Sequence, residues 1–140
     1  MPKRALLVDD DSEFQTIATS FLTDLGYTVV AASSVVEALK AVESRGNVEP
    51  FDLILCDVRM PEAQGPELFK KLKEAATDQL PLFIFATAHS DQATVTDLIR
   101  SEADYIVVKP LSRASLEAGL EKGERRRQDR EFQKIMRGTT

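Results

Sequence analysis

The chain has 140 residues, of which 43% are hydrophobic and 29% charged, and its formal net charge is −5. This length and composition fit one globular domain, and no apolar run approaches the length that a membrane-spanning helix or a secretory signal needs. A single cysteine excludes an internal disulfide, so we expect a reducing, cytoplasmic location.

The charge is distributed unevenly along the chain. Residues 121–140 contain seven Lys and Arg and four Asp and Glu, so residues 1–120 carry a net charge of −8. An acidic body is poorly suited to nucleic acid, and we do not expect direct nucleic-acid binding. We predict one domain over residues 1–120 and a charged helical tail or linker over 121–140. The composition of the tail indicates a solvated helix, with a segment that contacts a partner or nucleic acid as the alternative.

Short apolar runs and helical patterns alternate along the chain. Each run is rich in β-branched or aromatic residues and near-continuous, which is typical of strands buried on both faces of a parallel sheet. Asp11 is predicted to cap the first helix and Gly26 to end it. The alternation predicts an α/β fold with helices on both faces of the sheet. The strand-like runs are 5–8, 27–31, 51–56, 81–86 and 105–108, and the helical patterns lie near 14–25, 34–42, 66–72, 95–99 and 111–120.

Polar residues follow four of the five predicted strands. Because ligands of parallel α/β sheets gather at the carboxyl ends of the strands, we expect these residues to converge at one edge. They are Asp9, Asp10 and Asp11 after the first strand, Asp57 after the third, Thr87 and Ala88 after the fourth, and Lys109 and Pro110 after the fifth.

Carboxylates from two neighbouring strands form a hard oxygen site of the kind that Mg²⁺ prefers. A bound cation relieves the repulsion among them, and without it at least one acid is expected to have a raised pKa. Lys109 brings a second positive charge and Thr87 a hydroxyl. A carboxylate, a metal, an ammonium and a hydroxyl suffice to bring a phosphoryl group onto a carboxylate oxygen.

Four segments together resemble the response-regulator receiver domain of two-component systems. They are LLVDDD (6–11), DLILCDVRMPEAQG (52–65), FIFATA (83–88) and VVKP (107–110), and the resemblance covers residues 4 to about 120. It implies a flavodoxin-like, doubly wound, five-stranded parallel sheet with strand order 2-1-3-4-5. Each segment alone is weak evidence for the family, whereas four segments in the same order, each at the end of its own strand, are specific evidence.

The resemblance also implies a role for each matched acid. Asp57 would be the phosphoacceptor, and Asp10 and Asp57 would bind Mg²⁺ directly. Asp9 would act on the metal through water, and the backbone carbonyl of Arg59 would be a further ligand. Asp11 has no such role, which agrees with its prediction as a helix cap.

Further implied features concern the last two strand ends and the partners. Lys109 would contact Asp57 and then the phosphoryl group, Thr87 would hydrogen-bond that group, and the bond before Pro110 would be cis. The implied donor is a sensor histidine kinase or a histidine phosphotransfer protein. The implied output partner or domain would use the face formed by the fourth helix, fifth strand and fifth helix.

The chain departs from the family pattern beside the site. The family usually has an aromatic residue three positions before the lysine, but here that position is Ile106 and Tyr105 lies one place earlier. A one-residue step in a strand reverses the face, so the switch between the hydroxyl and the aromatic residue is altered, or Tyr105 simply packs. Ala88 and His89 lie at the site mouth, where His89 is a candidate modulator of phosphoryl-group hydrolysis.

Two other functions compete with a phosphorylated receiver. A haloacid-dehalogenase-type phosphatase would need Thr or Val at Glu13 and an Asp at Arg59, so we expect no turnover enzyme. A receiver-like module that signals by binding alone, without phosphorylation, stays open because of Ile106.

Overall fold

The computed structural model describes residues 3–43, 51–58, 60, 64–75, 80–88 and 103–138. Arg59, His89 and the helix predicted near 95–99 lie outside the described residues. The strands are β1 (Lys3–Val8), β2 (Tyr27–Ala32), β3 (Leu53–Asp57), β4 (Leu82–Thr87) and β5 (Tyr105–Val108). The described helices, numbered in chain order, are α1 (Ser12–Asp24), α2 (Val35–Glu43), α3 (Gly65–Ala75) and α4 (Arg113–Gly138).

The five strands form one sheet in the order β2-β1-β3-β4-β5, and every neighbouring pair is parallel. This confirms the predicted fold class and strand order. In the register, Val8 at the end of β1 pairs with Cys56, and Thr87 at the end of β4 pairs with Val108. The carboxyl ends of four strands therefore lie level at one edge of the sheet.

Two apolar layers cover the two faces of the sheet. Alternate side chains of β1 show the division, since Leu6 and Val8 join one layer and Ala5 and Leu7 the other. The first layer holds residues of α2 and α3, and the second holds residues of α1 and α4. Both faces are buried, which explains why the strands read as near-continuous apolar runs.

The ends of α1 confirm two sequence predictions. The Asp11 carboxylate accepts hydrogen bonds from the backbone N–H groups of Glu13 (3.0 Å) and Phe14 (3.4 Å), so Asp11 is the N-cap. Gly26 follows the last turn with a φ of +97°, a left-handed conformation that favours glycine. The capping residues thus set where α1 leaves the carboxyl edge of the sheet and where it returns to β2.

The last helix, α4, extends past residue 120, where the predicted domain ends. Its residues Gly119 and Gly123 are buried against the sheet, and a methyl group at Gly119 would lie 2.6 Å from the Val107 side chain. Farther along, Arg130 forms an ion pair with Asp104, which is buried just before β5. Contacts with the sheet therefore continue past residue 120, and the boundary between a domain at 1–120 and a tail at 121–140 stays a prediction. Among the described helices, none has the length and apolar character needed to cross a bilayer.

We predict that Gly65→Ala destabilises the protein by about 1–3 kcal/mol, the usual effect of overpacking. A methyl group at Gly65 would collide with the backbone carbonyl of Asp57 and lie 3.1 Å from the Phe85 ring. Urea unfolding measures the loss. Gly138→Ala is the matched control, because a methyl group there meets no atom within 4 Å. Equal stability of the two variants would show that the approach of α3 to Asp57 is not tight.

Candidate functional site

The carboxyl edge of the sheet brings together residues from four strand ends. Asp9 directly follows β1, Asp57 and Thr87 are the last residues of β3 and β4, and Lys109 directly follows β5. A backbone hydrogen bond of 2.8 Å from Lys109 N–H to the Thr87 carbonyl connects the last two strand ends. The convergence that the sequence predicted is therefore present in the described residues.

Three carboxylates at this edge could hold a metal ion. Asp9, Asp10 and Asp57 each place one oxygen within 4.8 Å of the others. Asp9 is fully buried, Asp57 is partly buried and Asp10 is exposed. Both Asp9 oxygens have protein donors, since Oδ1 accepts from the Asp11 N–H at 2.9 Å and Oδ2 from the Lys109 ammonium. The donor set fits a hard cation that reaches the cluster from the solvent side.

Lys109 supplies the positive charge on the protein side of the cluster. Its ammonium lies 2.9 Å from Asp9 Oδ2 and 3.5 Å from Asp57 Oδ1. Burial alone would lower the pKa of Lys109, but the hydrogen bond to Asp9 and the charges of Asp57 and Asp9 outweigh burial, so the pKa is raised. Lys109 is therefore a protonated cation at neutral pH. The Lys109–Pro110 peptide bond is cis, as the resemblance implied.

The surroundings of Asp57 disfavour the charged form of its carboxylate. Burial, followed by the nearby charge of Asp9, raises its pKa, while Lys109 and a 2.8 Å hydrogen bond from the Val58 N–H oppose that rise. The expected raised pKa of one acid in the cluster is thus present at Asp57. A cation bound here would favour the charged carboxylate by replacing repulsion with attraction.

The remaining predicted residues occupy different surroundings. Thr87 is buried at the end of β4, and Ala88 beyond it is exposed. Ile106 packs against the layer that holds α2 and α3, whereas Tyr105 packs against the layer that holds α1 and α4. The one-residue step therefore places the aromatic ring on the opposite face, as predicted. The roles proposed for these residues stay predictions.

Cys56 is a core residue. The thiol is buried and donates to the backbone carbonyl of Asp57 at 3.2 Å. Burial, then the charges of Asp57 and Asp9, raise its pKa well above the usual thiol value, so the reactive thiolate is suppressed.

Three contacts at the site involve residues that the sequence did not mark as functional. Phe14 lies under the Lys109 ammonium, with 4.2 Å between the nitrogen and the ring centroid. The Gln15 amide donates to the Asp9 backbone carbonyl and so ties α1 to the loop that carries the acids. Gly65 allows α3 to approach the Asp57 backbone. In the sequence, Phe14 is an ordinary apolar position of a helix, and nothing distinguishes Gln15 from other polar helix residues.

The architecture defines a class of protein, a flavodoxin-like α/β domain with an acidic site at the carboxyl edge of its sheet. The family model described as the response regulator receiver domain matches residues 5–121, so the chain belongs to the response regulator receiver family. A structure of the chemotaxis response regulator CheY4 of Vibrio cholerae has the same fold, with a TM-score of 0.76 and 24% identity over 88% of this chain and 99% of that one.

Curated relatives are longer proteins. The transcriptional regulatory protein ZraR of Escherichia coli O157:H7 is 39% identical over 117 residues, which cover 84% of this chain and 25% of that protein. The transcriptional regulatory protein CrdR of Helicobacter pylori is 35% identical over 122 residues, covering 87% of this chain and 55% of that protein. The chain thus matches between about a quarter and a half of the length of these relatives.

We predict that Mg²⁺ stabilises the protein, because a cation among the three carboxylates binds the folded state only. At ten times its dissociation constant the gain is about 1.4 kcal/mol, and thermal unfolding with and without Mg²⁺ measures it. Asp10→Ala should remove most of this gain, whereas Asp129→Ala, an exposed acid on α4, should keep it. If both variants keep the stabilisation by Mg²⁺, the cation binds elsewhere.

In EDTA, Asp57→Asn should raise the denaturation midpoint at pH 7. The folded-state pKa of Asp57 is raised, so between the unfolded and folded pKa values the folded protein binds more protons. Stability from this group is therefore lost as pH rises through that window. The advantage of the Asn variant should shrink as pH falls into the carboxyl range. Urea midpoints at several pH values test this, and an advantage that grows on acidification would contradict the sign.

Proposed function

We propose that the protein accepts a phosphoryl group on the Asp57 carboxylate and relays the change to an output partner or domain. The donor is the phosphohistidine of a sensor histidine kinase or a histidine phosphotransfer protein. The observation that carries the proposal is the Lys109 ammonium lying between Asp9 and Asp57, beside a carboxylate cluster that could hold a metal. This pairing of a nucleophile with two sites of positive charge suits phosphoryl transfer.

The transfer makes one bond and breaks one. An Asp57 carboxylate oxygen forms a bond to phosphorus while the bond between phosphorus and the donor imidazole nitrogen breaks. The electron pair of that bond stays on the imidazole nitrogen, and Asp57 becomes an acyl phosphate. Val58 N–H and Lys109 orient the carboxylate before the reaction, with contacts of 2.8 and 3.5 Å to Oδ1.

Mg²⁺ is the metal that we propose for the carboxylate cluster. Asp10 and Asp57 would bind it directly, and Asp9 would act through water because both of its oxygens already accept protein hydrogen bonds. The backbone carbonyl of Arg59 is a further proposed ligand, by resemblance alone. When bound, the metal supplies charge neutralisation for the phosphoryl oxygens.

Lys109 and Thr87 are the proposed partners of the phosphoryl group. Lys109 already contacts Asp57, so a short displacement from Asp9 would bring its ammonium to a phosphoryl oxygen. Thr87 ends the neighbouring strand and would donate its hydroxyl. We propose that Ala88, His89, Ile106 and Tyr105 modulate the phosphoryl lifetime or the response to it, and that Pro110 has a structural role.

The proposed output is a change in binding. The surface made by the fourth helix predicted from the sequence, β5 and the first turns of α4 would contact the partner, with residues 121–140 as tail or linker. The relatives are transcriptional regulators, which makes an attached or separate output domain reasonable, whereas direct nucleic-acid binding by this chain is not proposed. We place the protein in the cytoplasm and assign it no small-molecule turnover.

The test is intact-protein mass after incubation with acetyl phosphate. Acetyl phosphate can replace the phosphohistidine donor, with acetate instead of imidazole as the leaving group. We expect the mass to increase by one phosphoryl group, and only when Mg²⁺ is present. Asp57→Asn should abolish the gain, Asp10→Ala should abolish it together with the Mg²⁺ dependence, and Asp129→Asn should leave it unchanged.

Two results would overturn the assignment in different ways. Phosphoryl gain by Asp57→Asn at the wild-type rate would move the acceptor to another residue. The second result is a wild type that binds Mg²⁺ but gains no phosphoryl group, either from acetyl phosphate or from a panel of phosphorylated histidine kinases. That result would indicate a receiver-like module that signals by binding alone.

A further inference from the structure

We propose that Phe14 is a positioning residue for Lys109, whose ring face holds the ammonium between the two acids that it serves. The inference rests on the proposed function, because it assigns a part in phosphoryl transfer to a side chain outside the acid cluster. The ammonium lies 4.2 Å from the ring centroid, well within the range of about 6 Å for a cation–π contact. The same nitrogen contacts Asp9 at 2.9 Å and Asp57 at 3.5 Å.

The local structure holds Phe14 in this position. Its backbone N–H is bound by the capping carboxylate of Asp11 in the first turn of α1. The side chain is 8% exposed and joins the apolar layer that also holds Ala86 and Val107. Gln15, the next residue, anchors the same turn to the Asp9 carbonyl. The ring is therefore placed by contacts that are independent of Lys109.

The ring offers Lys109 an interaction that the two carboxylates cannot. A carboxylate hydrogen bond is directional and ties the ammonium to one oxygen, whereas attraction to the negative face of a ring is broad. Lys109 has to leave Asp9 when it follows a phosphoryl group on Asp57. A ring face beneath the ammonium keeps it partly desolvated and attracted along that path. Phe14 thus favours transfer without touching the reacting atoms.

A purely packing role for Phe14 makes different predictions from the positioning role. Packing depends on the volume and apolar surface of the side chain, whereas attraction to a cation depends on the charge distribution of the ring. Replacing Phe14 by 4-fluoro-, 3,5-difluoro- and 3,4,5-trifluorophenylalanine weakens the negative ring face in steps with little change in shape. Phe21, an aromatic residue of α1 packed against the same layer, is the matched control position.

The first measurement tests the contact itself and does not depend on phosphorylation. In protein labelled with ¹³C at lysine Cε, the Lys109 Hε resonances should be shifted upfield by the ring current and return toward ordinary lysine values in Phe14→Leu. Phe21→Leu should leave them unchanged. Unchanged Lys109 shifts in Phe14→Leu would overturn the proposed contact.

The second measurement is the rate of Mg²⁺-dependent phosphorylation by acetyl phosphate. Phe14→Leu should be slower by about 3- to 20-fold, the range of a partly desolvated cation–π contact. The rate should fall stepwise with each added fluorine at position 14 and stay constant across the same series at position 21. Mg²⁺ affinity should be unchanged throughout.

A double-mutant comparison shows whether Phe14 acts through Lys109. In a Lys109→Ala background the residual rate should no longer respond to fluorination at position 14. A rate insensitive to fluorination in the wild-type background, or equally sensitive in both, would overturn the positioning role. Failure of the wild type to accept phosphate would overturn the proposed function and the role of Phe14 in transfer, while the lysine resonances would still decide the contact.

Discussion

The ion pair between Lys109 and Asp9, 2.9 Å long at a fully buried carboxylate, is the interaction on which the site depends. The Asp9 carboxylate is fully buried beside Asp57, and like charges at low solvent exposure repel strongly unless a cation lies close to them. Lys109 meets that need and still lies 3.5 Å from Asp57. Charge compensation is only partial, since the pKa of Asp57 remains raised by burial and by Asp9. The site is thus left ready for a further positive charge.

Much of the surrounding structure holds these charges in register. Parallel pairing aligns the ends of β3 and β4, and the Thr87 carbonyl binds the Lys109 N–H at 2.8 Å. Gly65 lets α3 begin against the Asp57 backbone. The cap that Asp11 provides sets the first turn of α1. Each of these contacts sets the position of the backbone. A displacement of about 1 Å in a loop or at the start of a helix would therefore change the distances between the charged groups directly.

The sequence was sufficient for the strands, the α/β class and the convergence of acids and lysine, because continuous apolar runs and strand-end polar residues are local signals. The strand order came from the resemblance to receivers. Contacts that depend on three-dimensional approach were not predictable. Phe14 looks like any apolar helix residue until α1 places its ring under Lys109. Likewise, nothing local distinguishes Arg130 from its basic neighbours, and only the course of α4 brings it to Asp104.

The two faces of β5 pack against different helices, and this bears on the route of a signal under the proposed function. Tyr105 lies beneath α4, where a methyl group at Gly123 would be 3.3 Å from its Cβ. The Tyr105 side chain thus lies directly against α4, and a methyl group at Gly119 would also be 3.5 Å from its ring. Ile106, on the other face, is partly buried like Tyr105 and packs against the layer that holds α2 and α3. A signal that passes through β5 would therefore reach α4 as displacement of a packed element. The ion pair between Asp104 and Arg130 extends that connection into the charged half of the helix.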